Sequence, residues 1–293
     1  MTVMEFLDSK NLFMGLVLGT LLSFTMSIVL TRYMRGKLPI AHSVAIIGLP
    51  RSGKTTLITS IFSEIFSQKI TNYDLTLRGE ETINRVNGDI AKLESGEELN
   101  PTTDQDLFSY RAELLTGGRL FGKRYKVEIG DFPGENSDSF VSTDVKWIQN
   151  IPYFKWVMDA DSFVFIVDVS KAIDPKEASK YRADLTSSYR AAWQRLKDHH
   201  LGGTKNLRDK PITVVFTKSD LVIDSVYSFG SDKVSETAIA RKLDPIVKQY
   251  SDLIHFFRSE TTKCNVVYSS SFVRSSSDNV KLGVKSILGS ILP

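Results

Sequence analysis

Between Gly48 and Thr55 the chain reads Gly-Leu-Pro-Arg-Ser-Gly-Lys-Thr, with four residues between the glycines and a Lys-Thr pair directly after the second. That spacing suits phosphate. Gly48 and Gly53 let the chain wrap until its amides converge on an anion, Lys54 reaches the terminal phosphates, and the Thr55 hydroxyl is a magnesium ligand. The phosphate-binding set is therefore Gly48, Arg51, Ser52, Gly53, Lys54, Thr55 and Thr56.

Two later motifs narrow the nucleotide. Lys126 to Gly130 reads as a strand that ends in Asp131-Phe-Pro-Gly134, a DxxG in which Asp131 holds Mg²⁺ through water and the Gly134 amide senses the γ-phosphate. Ile212 to Phe216 is a buried-type strand running into Thr217-Lys-Ser-Asp220, a match to [NT]KxD. A carboxylate at Asp220 accepts from the guanine N1–H and exocyclic amine. Adenine offers neither donor, and a site built on such pairing discriminates by about 10⁴-fold. The Lys218 stem lies along the base, with its ammonium bracing the phosphate loop. Kinase and ATPase readings leave Thr217 to Asp220 without a use.

The order GxxxxGKT, DxxG, TKxD resembles the Ras-like and translation-factor class of P-loop GTPases over most of residues 40–293. The resemblance implies an α/β fold, with a mixed, mostly parallel sheet, helices on both faces and nucleotide at the strand ends. It implies GTP/GDP and Mg²⁺ as cofactors and hydrolysis to GDP and phosphate. Ser269 and Ser270, in the run Ser269-Ser-Ser271, stand where the class contacts guanine through backbone groups, although the usual alanine is missing. The class also implies a switch I threonine on the metal. Pro101-Thr102-Thr103 offers two hydroxyls, with Thr103 preferred, Thr102 the alternative, and an ordinary turn the plain reading.

The catalytic set is Lys54, Arg51, Glu135 and Thr103, with Thr55, Thr103 and Asp131 on the metal. Glu135 follows DxxG where Ras-like enzymes carry glutamine; it can orient water, but its charge repels the γ-phosphate, so slow turnover is expected. The loop around Arg51 is similar to that of the guanylate-binding proteins, where an arginine at the matching position acts as a finger upon dimerisation. A surface role for Arg51 is the plainer alternative.

The elements that must position these residues follow from periodicity. Ser43 to Gly48 is a strand before the loop. Leu57, Ile58, Ile61, Phe62, Ile65 and Phe66 give the next segment one apolar helical face. Phe108 to Leu115 and Tyr125 to Ile129 flank a Gly-rich turn as a hairpin would, and Phe163 to Val167 and Asn265 to Tyr268 supply further strands. Two segments exceed a minimal domain of this class. One is an inserted helix within about 78–100, carrying Ile83, Val86, Ile90 and Leu93 and stopped at Gly96. The other is a long helix over Asp174 to His200 with Tyr181, Leu185, Ala192, Trp193 and Leu196 inward.

Asn11 to Thr31 carries no charge, and as a helix it spans about 31 Å, the thickness of a hydrocarbon core. The acidic Glu5 and Asp8 and the absence of a small-residue cleavage site argue against a signal peptide. Arg32, Arg35 and Lys37 follow the span, which places the C-terminal side in the cytoplasm and the short 1–10 segment outside. The expected organisation is a transmembrane helix at 11–31, a basic tether at 32–42 and one GTPase domain at 43–293. This layout resembles the β-subunit of the signal recognition particle receptor. Gly15, Gly19, Ser23 and Ser27 form a stripe through which two such helices can pair as a homodimer.

The 293 residues are 42% hydrophobic and 24% charged, which excludes global disorder. A net charge of +3 is too small to argue for nucleic acid, and the single Cys264 excludes an intramolecular disulfide or a multi-cysteine zinc site. The sequence thus points to a membrane-anchored GTP switch with a cytoplasmic effector. Its alternatives are a GTPase whose self-assembly is the output and a constitutively GTP-loaded module without catalysis.

Overall fold

The computed structural model describes residues 3–37, 40–71, 73–97, 99, 108–116, 123–131, 157–200, 207–223 and 233–292. Thr102, Thr103, Gly134 and Glu135 lie outside these, as does the turn between the two hairpin strands.

The first element is one uninterrupted helix, α1 (Val3–Lys37), longer at both ends than the expected span. Its segment Met14–Thr31 is long and apolar enough to cross a membrane, and none of it is buried against the rest of the chain. Two hydroxyls inside this segment fold back on the helix. Thr20 Oγ1 donates to the Leu16 and Val17 carbonyls at 3.0 and 2.9 Å, and Thr25 does the same to Leu21 and Leu22. Such back-bonding satisfies these two hydroxyls within the helix, without water.

After α1 come β1 (Ile40–Ile47), α2 (Lys54–Phe66), β2 (Tyr73–Leu77), α3 (Glu80–Ser95), β3 (Phe108–Thr116), β4 (Lys123–Asp131) and β5 (Ser162–Asp168). The chain continues through the single turn α4 (Val169–Ala172), α5 (Ala178–His200), β6 (Ile212–Thr217), β7 (Lys233–Val234), α6 (Glu236–Gln249), α7 (Ser251–Glu260), β8 (Cys264–Tyr268), β9 (Arg274–Ser275) and α8 (Val284–Ile291). Seven strands form one sheet in the order β2-β3-β4-β1-β5-β6-β8. β4, β1, β5, β6 and β8 run parallel, and β3 and β2 are antiparallel additions at one edge.

The central strands are buried on both faces, which explains their unbroken apolar runs. Ala45, Ile47, Phe163, Phe165, Val214 and Phe216 face a core completed by Trp193, Leu185, Leu253 and Phe257 from α5 and α7. Val44, Ile46, Val164, Ile166 and Val215 face the opposite core, completed by Leu57, Ile58, Ile61, Phe62 and Ile65 of α2, Val86 of α3 and Ile287 of α8. Trp193 meets Phe163 edge to face at 5.5 Å, and its indole N–H donates to Glu260 at 3.2 Å.

Three expectations need correction. Phe66, the last residue of α2, is 39% exposed and does not continue that helix's apolar face. The inserted helix forms as α3, but Thr82, Val86 and Leu93 are its buried residues, and Ile83 is 39% exposed. The buried stripe thus runs through position 82, leaving 83 at its margin. The long helix begins at Ala178, because Pro175 and an Asx turn, Lys176 N–H to Asp174 Oδ1 at 2.8 Å, occupy its expected first turn. Gly96 does stop α3: its φ of 80° closes the helix, and the Glu97 amide donates to Lys92 O at 2.9 Å.

Two of these packing features carry predictions. Gly283, with φ +80°, turns the chain into α8 so tightly that an added Cβ would stand 2.1 Å from the Tyr268 carbonyl oxygen. The obstacles, the Tyr268 carbonyl and the Ser269 Cα, are all backbone, so Gly283→Ala is expected to cost about 3 kcal/mol or more and to lower the thermal midpoint by roughly 6–12 °C in a scan. His42, at the start of β1, is buried, with Nε2 2.7 Å from the Ile291 carbonyl, which fixes the proton on that nitrogen. Burial lowers its pKa from the ordinary 6.5, opposed by that hydrogen bond. The unfolded chain therefore binds the proton first. Stability is complete above 6.5 and is lost as pH falls through the folded-state value. Unfolding titrations should show this loss in the natural chain and a shallower one in His42→Gln.

Candidate nucleotide site

The site lies at the C-terminal ends of β1, β5, β6 and β8, where the sheet hands each strand to a helix or turn. β1 leads into the loop 48–53. A Cβ at Gly48 would fall 2.7 Å from Ser52 Oγ and 3.1 Å from Ile166 Cβ, so a side chain there would have to displace both neighbours. Arg51 has φ 59° and Gly53 φ 86°, a left-handed turn on each side of Ser52 that curls the loop before α2 begins. The first turn of α2 carries no acidic residue, leaving its positive end uncompensated by side chains.

Lys54 is buried inside this loop. Its ammonium donates to the carbonyls of Gly48 at 2.9 Å and Leu49 at 3.1 Å. The Arg51 side chain is exposed at the loop tip. Thr55 is half-buried in the first turn of α2, with Thr56 beside it.

β6 delivers the next group against this loop. Thr217 Oγ1 donates to Ser52 O at 2.8 Å, and Lys218, itself at φ 56°, donates from Nζ to Arg51 O at 3.2 Å. The expected bracing of the phosphate loop by Lys218 is thus present as a direct contact. Its ammonium also pairs with Asp168 Oδ2 at 2.7 Å. Asp168 is fully buried at the end of β5. Its other oxygen caps α4, accepting from the Ser170 amide and hydroxyl at 2.9 and 2.6 Å. Asp168 was not identified as a site residue, and a lone carboxylate closing an apolar run was the available signal.

Asp220 follows in a short 3₁₀ turn, Ser219–Val222. Its Oδ1 is buried and has no hydrogen-bond partner. No group of the described residues donates to it, so a bound molecule can supply that donor without breaking an internal hydrogen bond. β8 ends beside it: the Ser219 amide donates to Ser269 O at 3.0 Å, and the Ser269 amide to Phe216 O at 2.8 Å. Ser270 Oγ accepts from the Phe272 amide at 3.0 Å. The loop, the Thr217–Asp220 strip and Ser269–Ser270 therefore converge on one region. Asp131 closes β4 in register with Phe108. Among the described residues no cluster of three or more His, Cys, Asp or Glu forms a protein-only metal cage.

A separate cavity of about 640 Å³ lies at the opposite end of β1, lined in part by Ala41, Ser43, Arg111, Lys126, Glu128 and Asp161. It holds charges of both signs and none of the motif residues.

Residues 42–277 match the family model described as Double-GTPase 2. No curated protein matches the chain. Among solved structures, the GDP-bound RocCORdC portion of Roco2 from Methanosarcina barkeri aligns over 85% of this chain and 47% of its own, at 11% identity and a TM-score of 0.34. This chain thus spans about half the length of that one. The family match carries the GTPase class, and not the finer likenesses to the receptor β-subunit or to the guanylate-binding proteins.

Proposed function

The chain belongs to the Double-GTPase 2 family, a GTP-binding class, and we propose that it is a membrane-anchored switch that hydrolyses GTP slowly with Mg²⁺. The observation that carries the base assignment is the buried, unpartnered Oδ1 of Asp220 at the mouth of β6. Guanine supplies the donors it lacks, and adenine does not.

In this reading Lys54 exchanges the Gly48 and Leu49 carbonyls for the β- and γ-phosphate oxygens, while the amides from Ser52 to Thr56 and the start of α2 hold the remaining charge. The metal's protein ligands are Thr55, Asp131 through water, and Thr103. Such a sparse donor set suits Mg²⁺, which keeps waters and shares phosphate oxygens. The Gly134 amide reports the γ-phosphate, Glu135 orients water, and Ser269 and Ser270 face the guanine edge. The apolar, solvent-facing α1 supports an anchor in a lipid bilayer, and the basic residues after it put the nucleotide domain in the cytoplasm, where an effector reads the loaded state.

A second reading, self-assembly, is favoured by the exposed side chain of Arg51 at the tip of the phosphate loop, from where it can serve a partner copy's γ-phosphate. The Gly15, Gly19, Ser23, Ser27 stripe would raise the encounter frequency of two such domains. One experiment addresses both. The full chain in detergent is titrated with GTP and ATP, and GTP turnover per molecule is followed against protein concentration. Equal or tighter ATP binding sinks the guanine assignment. Turnover that stays flat with concentration sinks the Arg51 role, and bound GTP that never turns over favours the constitutively loaded module.

A further inference from the structure

Helix α2 carries a charge that phosphate binding does not use. Glu64 lies ten residues beyond Lys54 and is 0% exposed. Arg274 Nη1 stands 3.0 and 3.1 Å from its two carboxylate oxygens and also donates to Asn279 O at 3.0 Å, while Lys69 lies 3.4 Å from Glu64 Oε1. Burying such a pair costs several kcal/mol per ion before pairing repays it, and apolar residues of like size often serve stability as well or better. What an ion pair adds is a fixed register.

The segment it fixes is the one that follows the guanine-edge serines. Residues 270–282 fold back on themselves: the Ser270 amide donates to Leu282 O at 3.2 Å, Leu282 to Val273 O at 3.0 Å, and Arg274 bridges to Lys281 across the pair. Ser60, one turn before Glu64 on α2, donates its hydroxyl to Ser271 Oγ at 2.6 Å. Two contacts one helical turn apart thus grip this hairpin from the phosphate-binding helix. A third comes from α3, where Glu94 accepts from Lys281 Nζ at 2.8 Å and from Ser63 Oγ at 2.7 Å. Burial tends to raise the Glu94 carboxyl, but the bonds from Lys281 and Ser63 outweigh it and hold it below the ordinary carboxylate value.

We propose that the Glu64–Arg274 ion pair, with Ser60–Ser271, is the positioning element of the guanine-selective end of the site, setting where Ser269 and Ser270 stand against Asp220. It rests on the guanine reading given above and adds residues that touch no nucleotide. A shift of the hairpin moves Ser269, whose carbonyl holds the Ser219 amide next to Asp220. The phosphate loop keeps its own bonds, so affinity due to phosphates should survive while base discrimination narrows.

The test uses the full chain in detergent, with GDP and ADP affinities and thermal midpoints measured for the natural chain and for Arg274→Met, Arg274→Lys, Glu64→Gln and Ser271→Ala. Arg274→Met and Glu64→Gln are expected to lose about tenfold or more in GDP affinity and less than about threefold in ADP affinity. Ser271→Ala should move the GDP-to-ADP ratio by a smaller step of the same sign, and Arg274→Lys should recover part of it. Should Arg274→Met and Glu64→Gln fail to fold, Ser271→Ala and Arg274→Lys carry the comparison. A ratio unchanged from the natural chain in every folded variant, even with lowered midpoints, overturns the proposal and leaves the pair a stability element. If the natural chain binds GDP and ADP alike, the guanine reading has failed instead.

Discussion

Asp220→Asn is expected to lower GTP affinity by about 10²- to 10⁴-fold and to turn the preference toward xanthosine triphosphate. Two hydrogen bonds from the base to one carboxylate are each worth roughly 1.5–3 kcal/mol when the acceptor is charged. The carboxamide keeps one acceptor and turns a donor toward the exocyclic amine of guanine, so one bond is lost and a donor–donor clash replaces it. Xanthine carries a carbonyl in place of that amine and accepts from the new donor. Because Oδ1 of Asp220 has no protein partner to lose, the fold should be nearly indifferent to the change. Competition binding with the two triphosphates, paired with a thermal scan, checks both halves. Undiminished GTP affinity would remove Asp220 from the base site.

Lys54→Ala carries the second large effect. The ammonium is buried and held by two carbonyls of its own loop, which in the proposed reading phosphate oxygens would replace. Removing it should cost about 10²-fold or more in nucleotide affinity, since two charge-assisted contacts to phosphate disappear. The nucleotide-free stability is the control: the Gly48 and Leu49 carbonyls lose a donor, so a loss of about 1–3 kcal/mol is expected before any ligand is added. The readout is the ligand-induced shift. At nucleotide 100 times its dissociation constant the natural chain gains about 2.7 kcal/mol, and the variant at the same concentration should gain about 0.4 kcal/mol or less. A full shift in Lys54→Ala would mean that nucleotide binds elsewhere.

The parts of this fold that were legible in the sequence are those where one physical demand dominates a short stretch. β5 and β6 had to be apolar over most of their length because both faces are covered, and the Thr217–Asp220 motif follows directly at the end of β6. α1 was legible because Asn11 to Thr31 is an unbroken run without charge, too long for a strand. β2 was not, since the alternation of half-buried and exposed residues along Tyr73–Leu77 lasts only five positions at a sheet edge and none of them is fully buried. Asp168 and Glu64 were missed for a related reason: nothing local distinguishes a buried carboxylate from a solvated one. Their partners, Lys218 and Arg274, lie 50 and 210 residues away. Ser269 and Ser270 were placed by resemblance alone, and the bond between Ser219 and Ser269 is what brings them beside Asp220.

The direct succession of α1 and β1 also sets a height. Only residues 38 and 39 separate Lys37 from Ile40, and β1 then runs eight residues straight to the phosphate loop. With Met14–Thr31 in a bilayer, six further helical residues and one strand fix the nucleotide mouth at most about 45 Å above the lipid surface. A domain held on so short a stalk would sample a thin layer beside the membrane rather than a sphere. Under the proposed anchoring, neighbouring copies would hold their loops at the same level, so Arg51 of one would meet its neighbour by lateral diffusion in two dimensions, and expression density in the membrane would become the concentration that matters.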